Sequence, residues 1–202
     1  RLGRMAAVAS TARIPGRCLV IHPPCTIARD WIDYPYLADL GAVQLAASLR
    51  AHGAEVALVD AFALPSSTLH WRRDGRGHLG AALPELFAAL EATLPADAVV
   101  VTVTPFHRPP QRDDVLAALL RALRAMAPAR PLLLADAYQS GQHYVETARL
   151  LEAYPEADAW VKYEGEITVP ALLTRWLAGE APSAGVHRGE RPPRLDALPL
   201  PA

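Results

Sequence analysis

Five short, unbroken apolar runs, separated by stretches of helical spacing, constrain this chain more than any other feature. The runs are Cys18–Ile21, Val56–Val59, Ala98–Val103, Leu132–Ala135 and Ala159–Val161. Runs without polar alternation suit strands covered on both faces. Between them apolar residues recur at i, i+3, i+4 and i+7. The first set is Ala42, Leu45, Ala46 and Leu49, stopped by Gly53. The second is Leu83, Leu86, Phe87 and Leu90; the third is Leu116, Leu119, Leu120 and Leu123, ahead of Pro128. A less regular helix falls near Tyr144–Tyr154, and a fifth contains Trp176 and ends near Gly179. Such alternation implies an α/β fold, a doubly wound five-stranded parallel sheet. The expected strand order is flavodoxin-like (Rossmann-like), 2-1-3-4-5.

The rest of the chain frames that domain. Residues 1–16 read as a flexible arm, 17–180 as the α/β domain, and 181–202 as a proline-rich linker with one short edge strand at Ala184–Arg188. Pro65–Gly80 reads as a polar loop. At 202 residues the chain suffices for one sizeable core, and its 51% apolar content is that of a soluble globular protein. A net charge of −1 gives no reason to expect nucleic acid or an anionic membrane. No apolar run reaches the roughly 18 residues of a membrane span, and Arg1–Arg17 lacks the apolar centre of a signal peptide. Cys18 and Cys25 are the only cysteines, and their spacing fits neither a zinc knuckle nor a redox dithiol. The expected location is the reducing cytoplasm.

In an open parallel sheet, ligands bind beyond the carboxyl ends of the strands. That rule gathers His22-Pro23-Pro24, Thr102 to Arg108, Asp136 to His143 and Lys162 to Glu166. Asp158 to Trp176 is the most informative of these neighbourhoods: an apolar strand, an acidic turn Glu164-Gly165-Glu166, and a helix with Pro170 in its first turn. Carboxylates at a helix amino terminus are favourable by about 0.3–1 kcal/mol each, so capping accounts for Glu166 as well as ligand contact does. No acid partner or nucleophile–base pair stands out, so no catalytic residue is assigned. His22, His107 and His143 all fall at strand ends, but no ligand spacing makes them a metal site. A G-x-G-x-x-G turn and a G-x4-G-K-[ST] loop are both absent, which disfavours those nucleotide readings.

Asp158 to Glu166 resembles the "D-x-V-V-x-G-E-G-E" close of the amino-terminal cobalamin-binding domain of cobalamin-dependent radical S-adenosylmethionine (SAM) enzymes, with Tyr163 in place of the first glycine. His22-Pro23-Pro24 resembles that family's strand followed by "P-P". Tyr34-Pro35-Tyr36 and the following LADLGAVQLAASLRAHGAEVALVD resemble its first helix and second strand, and Ser140-Gly141-Gln142-His143 its "G-G-x-H" turn. Arg194 to Pro201 looks like the link leading into a radical SAM barrel.

The resemblance implies a cobalamin-binding Rossmann-like fold. It makes Pro23, Pro24, Thr102, Thr104, Ser140, Gly141, Gln142, His143, Tyr163, Glu164, Gly165 and Glu166 the cofactor-binding candidates. The D-x-H-x-x-G motif of corrinoid proteins with a histidine ligand is absent, so a base-off cobalamin without a histidine on cobalt is expected. SAM and a 4Fe-4S cluster would belong to a separate catalytic domain, in cis or in trans, because the C-x3-C-x2-C cluster motif is missing here. The expectation is a cobalamin module for methyl transfer or related radical chemistry, not catalytic alone. The alternative is a degenerate domain of the same fold with a structural or interaction role.

Overall fold

Strand β1 (Arg17–His22) sits second from one edge of a six-stranded parallel sheet with β3 (Glu55–Asp60), β6 (Ala98–Val103), β7 (Leu132–Asp136), β8 (Ala159–Lys162) and β9 (Gly185–Arg188). The order is β3-β1-β6-β7-β8-β9, and every pairing is parallel. The first five strands therefore follow the expected 2-1-3-4-5 order, and β9 supplies the expected edge strand. The protein is represented by a computed structural model that describes residues 13–30, 40–107, 112–136, 149–180 and 184–201.

Strand periodicity divides the core in two. Leu19 and Ile21 of β1 face one side, with Val99, Val101, Leu132, Leu134 and Trp160. Helices α2 (Leu83–Thr93), α3 (Asp114–Met126) and α4 (Leu150–Ala153) cover that side. Cys18 and Val20 face the other side, under α1 (Leu40–Ala51) and α5 (Thr168–Leu177). In α3, Leu116, Leu119, Leu120 and Leu123 form the buried stripe, each contributing about 1.5–3 kcal/mol by leaving water. Asp113 caps α3, its carboxylate accepting from the N–H groups of Val115 and Leu116. Ile14 is also buried, and its N–H donates to the His52 carbonyl, so packing begins ahead of β1.

Pro65–Gly80 is not simply a loop. It holds β4 (Thr68–Trp71) and β5 (Gly77–Gly80), which join β2 (Cys25–Ile27) in a small antiparallel sheet ordered β2-β5-β4. These strands are too short to show a period, and only Leu69 and Leu79 turn inward, onto Cys25, Ile27, Phe62 and Phe106. The small sheet forms a wall beside the carboxyl ends of β1 and β6.

Buried hydrogen bonds fasten that wall. The His107 Nε2–H donates to the Pro24 carbonyl (3.0 Å), while Nδ1 accepts from the Thr104 N–H (3.1 Å). The Tyr154 hydroxyl donates to the His107 carbonyl (2.7 Å) and accepts the Asp113 N–H (2.9 Å). Asp113 in turn accepts the Thr26 N–H (2.8 Å). Tyr154→Phe would take away the hydroxyl that the buried Asp113 N–H donates to and the O–H donated to the His107 carbonyl. The expected loss is about 2–3 kcal/mol in urea denaturation; a loss below about 0.5 kcal/mol would contradict this reading.

Candidate functional site

The chain leaves β1 toward β3 on one side and returns to β6 on the other. The carboxyl ends of β1 and β6 are therefore the switch point at which such sheets bind ligands. A small cleft opens there, lined by Gly41 and Leu45 of α1, Thr102 of β6, Asp136 of β7, and Gly165 and Glu166 before α5. It holds about 10 Å³, room for about one water. A larger groove of about 380 Å³ lies at the opposite edge, among Leu94–Ala96 and Met126–Arg130. Its one charged side chain is Arg130, and it offers no convergent polar groups.

Each polar group in the cleft has a distinct state. The Thr102 hydroxyl, fully buried, donates to the Ile21 carbonyl (3.2 Å). The Asp136 carboxylate is 6% exposed, and accepts from Trp160 Nε1–H (3.1 Å) and from the Tyr163 N–H (3.0 Å). Glu166 differs: its Oε2 is buried and has no hydrogen-bond partner. Burial raises the Glu166 carboxyl above its ordinary range; the backbone N–H of Glu166 opposes this and the Glu164 charge adds to it. Backbone N–H groups of Glu166 and Gly165 thus reach this carboxylate, while one of its oxygens, Oε2, is a buried acceptor without a donor; perturbed carboxyls of this kind cluster at functional sites.

The sequence candidates separate clearly. Thr102, Gly165 and Glu166 line the cleft. Pro23 and Pro24 are buried, and Pro24 is tied to His107 in the wall. Thr104 bonds the same histidine through its N–H and its hydroxyl. Glu164 pairs with Arg191 at 3.4 Å. Tyr163 is absent from the cleft lining; its ring packs toward the α2–α4 side, near Arg188 and Lys162. Ser140, Gly141, Gln142 and His143 lie outside the described residues, as do Tyr34-Pro35-Tyr36. Among the described residues no cluster of His, Cys, Asp or Glu could hold a metal ion.

Gly41 and Leu45 were not among the site candidates read from sequence, and Asp136 entered only as the first residue of the strand-end stretch Asp136 to His143. Asp136 had a legible signal, an acid ending an otherwise apolar run. A further pair lies at the ends of β1 and β3: His22 Nδ1–H donates to Asp60 (2.8 Å), and the ring stacks on Phe62 at 4.7 Å. Burial alone would raise Asp60, but His22 and the Phe62 N–H outweigh it and hold the carboxyl below its usual value.

Tyr163 has φ +69°, a left-handed conformation that a side chain makes unfavourable by about 1–2 kcal/mol. That explains a glycine at this position in the pattern the sequence resembles. Gly189 is similarly constrained, because a Cβ there would fall on the Glu164 carbonyl oxygen.

No protein-family model matches the sequence, and neither does any curated protein. The fold resembles that of TsrM, a radical SAM methyltransferase from Kitasatospora setae. One TsrM structure, with tryptophan substrate and the SAM analogue aza-SAM bound, aligns at a TM-score of 0.54 and 20% identity over 82% of this chain. Another, with cobalamin and a [4Fe-4S] cluster bound, aligns at 0.54 and 19% identity over 82%. This chain spans about a quarter of the length of TsrM, 26% and 25% in the two alignments. No helix among the described residues is long and apolar enough to cross a membrane.

Two stability measurements test this geometry. Tyr163→Gly should be more stable than Tyr163→Ala by about 1 kcal/mol, because both lose the ring and only glycine relieves the left-handed backbone. Elsewhere the order is ordinarily the reverse, and finding that reverse order here would contradict the conformation. Glu166→Gln should stabilise the fold at pH 7.5, with the gain shrinking on acidification. The sign follows from a folded pKa above the unfolded one: the penalty grows from the unfolded value upward and is complete above the folded value. A gain that is absent at pH 7.5 would count against a buried carboxylate with one oxygen left without a donor.

Proposed function

We propose that this chain is the cobalamin-binding module of a radical SAM enzyme, working with a catalytic domain in cis or in trans. The observation that carries the reading is the fold likeness, over 82% of the chain, to a structure that holds cobalamin and a [4Fe-4S] cluster. The residue matches at Pro23-Pro24 and Glu164-Gly165-Glu166 support it, at the same sheet edge as the cleft.

The cleft residues fit such a ligand in kind. Corrin side chains and the nucleotide tail carry amide donors, and Glu166 Oε2 is a buried acceptor with none. Gly41 and Gly165 keep side chains out of the cleft, and a Cβ on Gly165 would approach Val169, Leu45 and Ala135 at 3.4–3.8 Å. Thr102 and Asp136 would hold a donor at the floor, and Gly165 would let the backbone of the α5 turn come close. Ser140 and Gly141 remain candidates for the tail. When bound, cobalamin supplies methyl-transfer chemistry at cobalt; this chain's residues bind and orient it and exclude water around it. The proposed form is base-off with no histidine on cobalt. The neutral His107 ring accordingly spends both nitrogens on Thr104 and Pro24.

The narrowness of the cleft favours one other reading, a domain of this fold with an interaction role and no cofactor. Reconstitution with hydroxocobalamin followed by desalting decides between them. The proposal expects retained corrin absorbance, kept in Gly165→Ala and lost in Gly165→Leu, which fills the cleft; a colourless wild-type protein would overturn it. In the cob(II)alamin form, an electron paramagnetic resonance spectrum without axial-nitrogen splitting is expected. Splitting that disappears in His143→Ala or His22→Ala would replace the open cobalt face with a histidine ligand.

A further inference from the structure

The segment after β9 turns back across the two walls of the cleft. At one end the Gly189 N–H donates to the Lys162 carbonyl (2.6 Å) and the Glu190 N–H to the Thr168 hydroxyl (2.8 Å). Arg191 pairs with Glu164 there. At the other end the Gln44 side-chain amide donates to the Pro199 carbonyl (2.9 Å). Thr168 lies three residues beyond Gly165, and Gln44 adjoins Leu45. The strap therefore joins α1, which forms one wall, to the α5 turn, which forms the other.

We propose that residues 189–199 are a latch that holds the cleft closed, and that its release lets the walls part for the ligand. Two observations carry this beyond the contacts themselves. The closed cleft has room for about one water, so nothing larger enters until α1 and the α5 turn separate. The strap is held by polar contacts with little apolar burial: its Leu195 is 81% exposed. Segments of that kind open at low free-energy cost, while the sheet beneath stays formed. β9, paired along β8, anchors the fixed end, and the Gln44–Pro199 bond is the releasable one. The ligand's identity rests on the proposed function; the latch does not.

Thiol trapping tests it without cofactor. Thr102→Cys places a thiol on the cleft floor. The native Cys18 and Cys25 are buried, which pushes each thiol up to about 12, so they supply a slow background. Labelling by methyl methanethiosulfonate, read by mass spectrometry, should quicken at least tenfold when Gln44→Ala and Arg191→Ala are added. Hydrogen exchange at β1 and β6 should stay unchanged. Unchanged labelling would overturn the latch, and so would a rise matched by faster exchange in β1 and β6, since that is general loosening. A cleft that opens on release but takes up no hydroxocobalamin would contradict the proposed function alone.

Discussion

The Asp136 carboxylate organises the carboxyl edge of this sheet. It ends β7 in a buried position, and accepts from the indole of Trp160 on β8 and the N–H of Tyr163 just beyond it. Holding that N–H fixes the chain where β8 ends. The left-handed backbone of Tyr163 then turns the path into Glu164-Gly165-Glu166 and directly into α5. Remove the acceptor and both the turn and the placement of Gly165 and Glu166 lose their reason. A buried carboxylate satisfied by fixed donors is favourable only as a complete set, so this constellation acts as a unit.

The opposite side of the site depends on a different network. His107, Thr104, Pro24, Tyr154 and Asp113 fasten the small antiparallel sheet to the ends of β1 and β6. These residues build the site without lining it. The polar groups left to meet a ligand are few: Thr102, Asp136 and the unpartnered oxygen of Glu166. A fold that leaves a buried carboxyl oxygen at its cleft without a donor gives up stability there, as binding sites commonly do.

The parallel sheet was legible because each of its first five strands in sequence is built on a continuous apolar run and each long helix carries an apolar stripe. Leu116, Leu119, Leu120 and Leu123 show the helical period plainly. The small sheet was not, because Thr68–Trp71 and Gly77–Gly80 are four residues each, a mixture of polar, apolar and glycine positions too short to show a period. The acidic turn was readable as a site, whereas the roles within it were not. Tyr163 reads as bulk at a ligand face; its left-handed backbone and the packing of its ring toward the α2–α4 side leave no local sequence pattern. Gly41 and Leu45 belong to a helix stripe in sequence, and only the packing of α1 against the α5 turn brings them to the cleft. The return of Pro199 to Gln44 joins residues 155 apart, beyond the reach of any local pattern.

The proposed ligand site is at the carboxyl edge although the larger groove lies at the amino edge, because among the described residues the carboxyl-edge cleft is the one of the two that brings polar groups together. Hydrogen exchange with and without hydroxocobalamin measures that choice directly. Protection of the amides around Thr102–Thr104 and Gly165–Val169, with no change around Leu94–Ala96 and Met126–Arg130, is the predicted result. Protection confined to the amino-edge groove would contradict it.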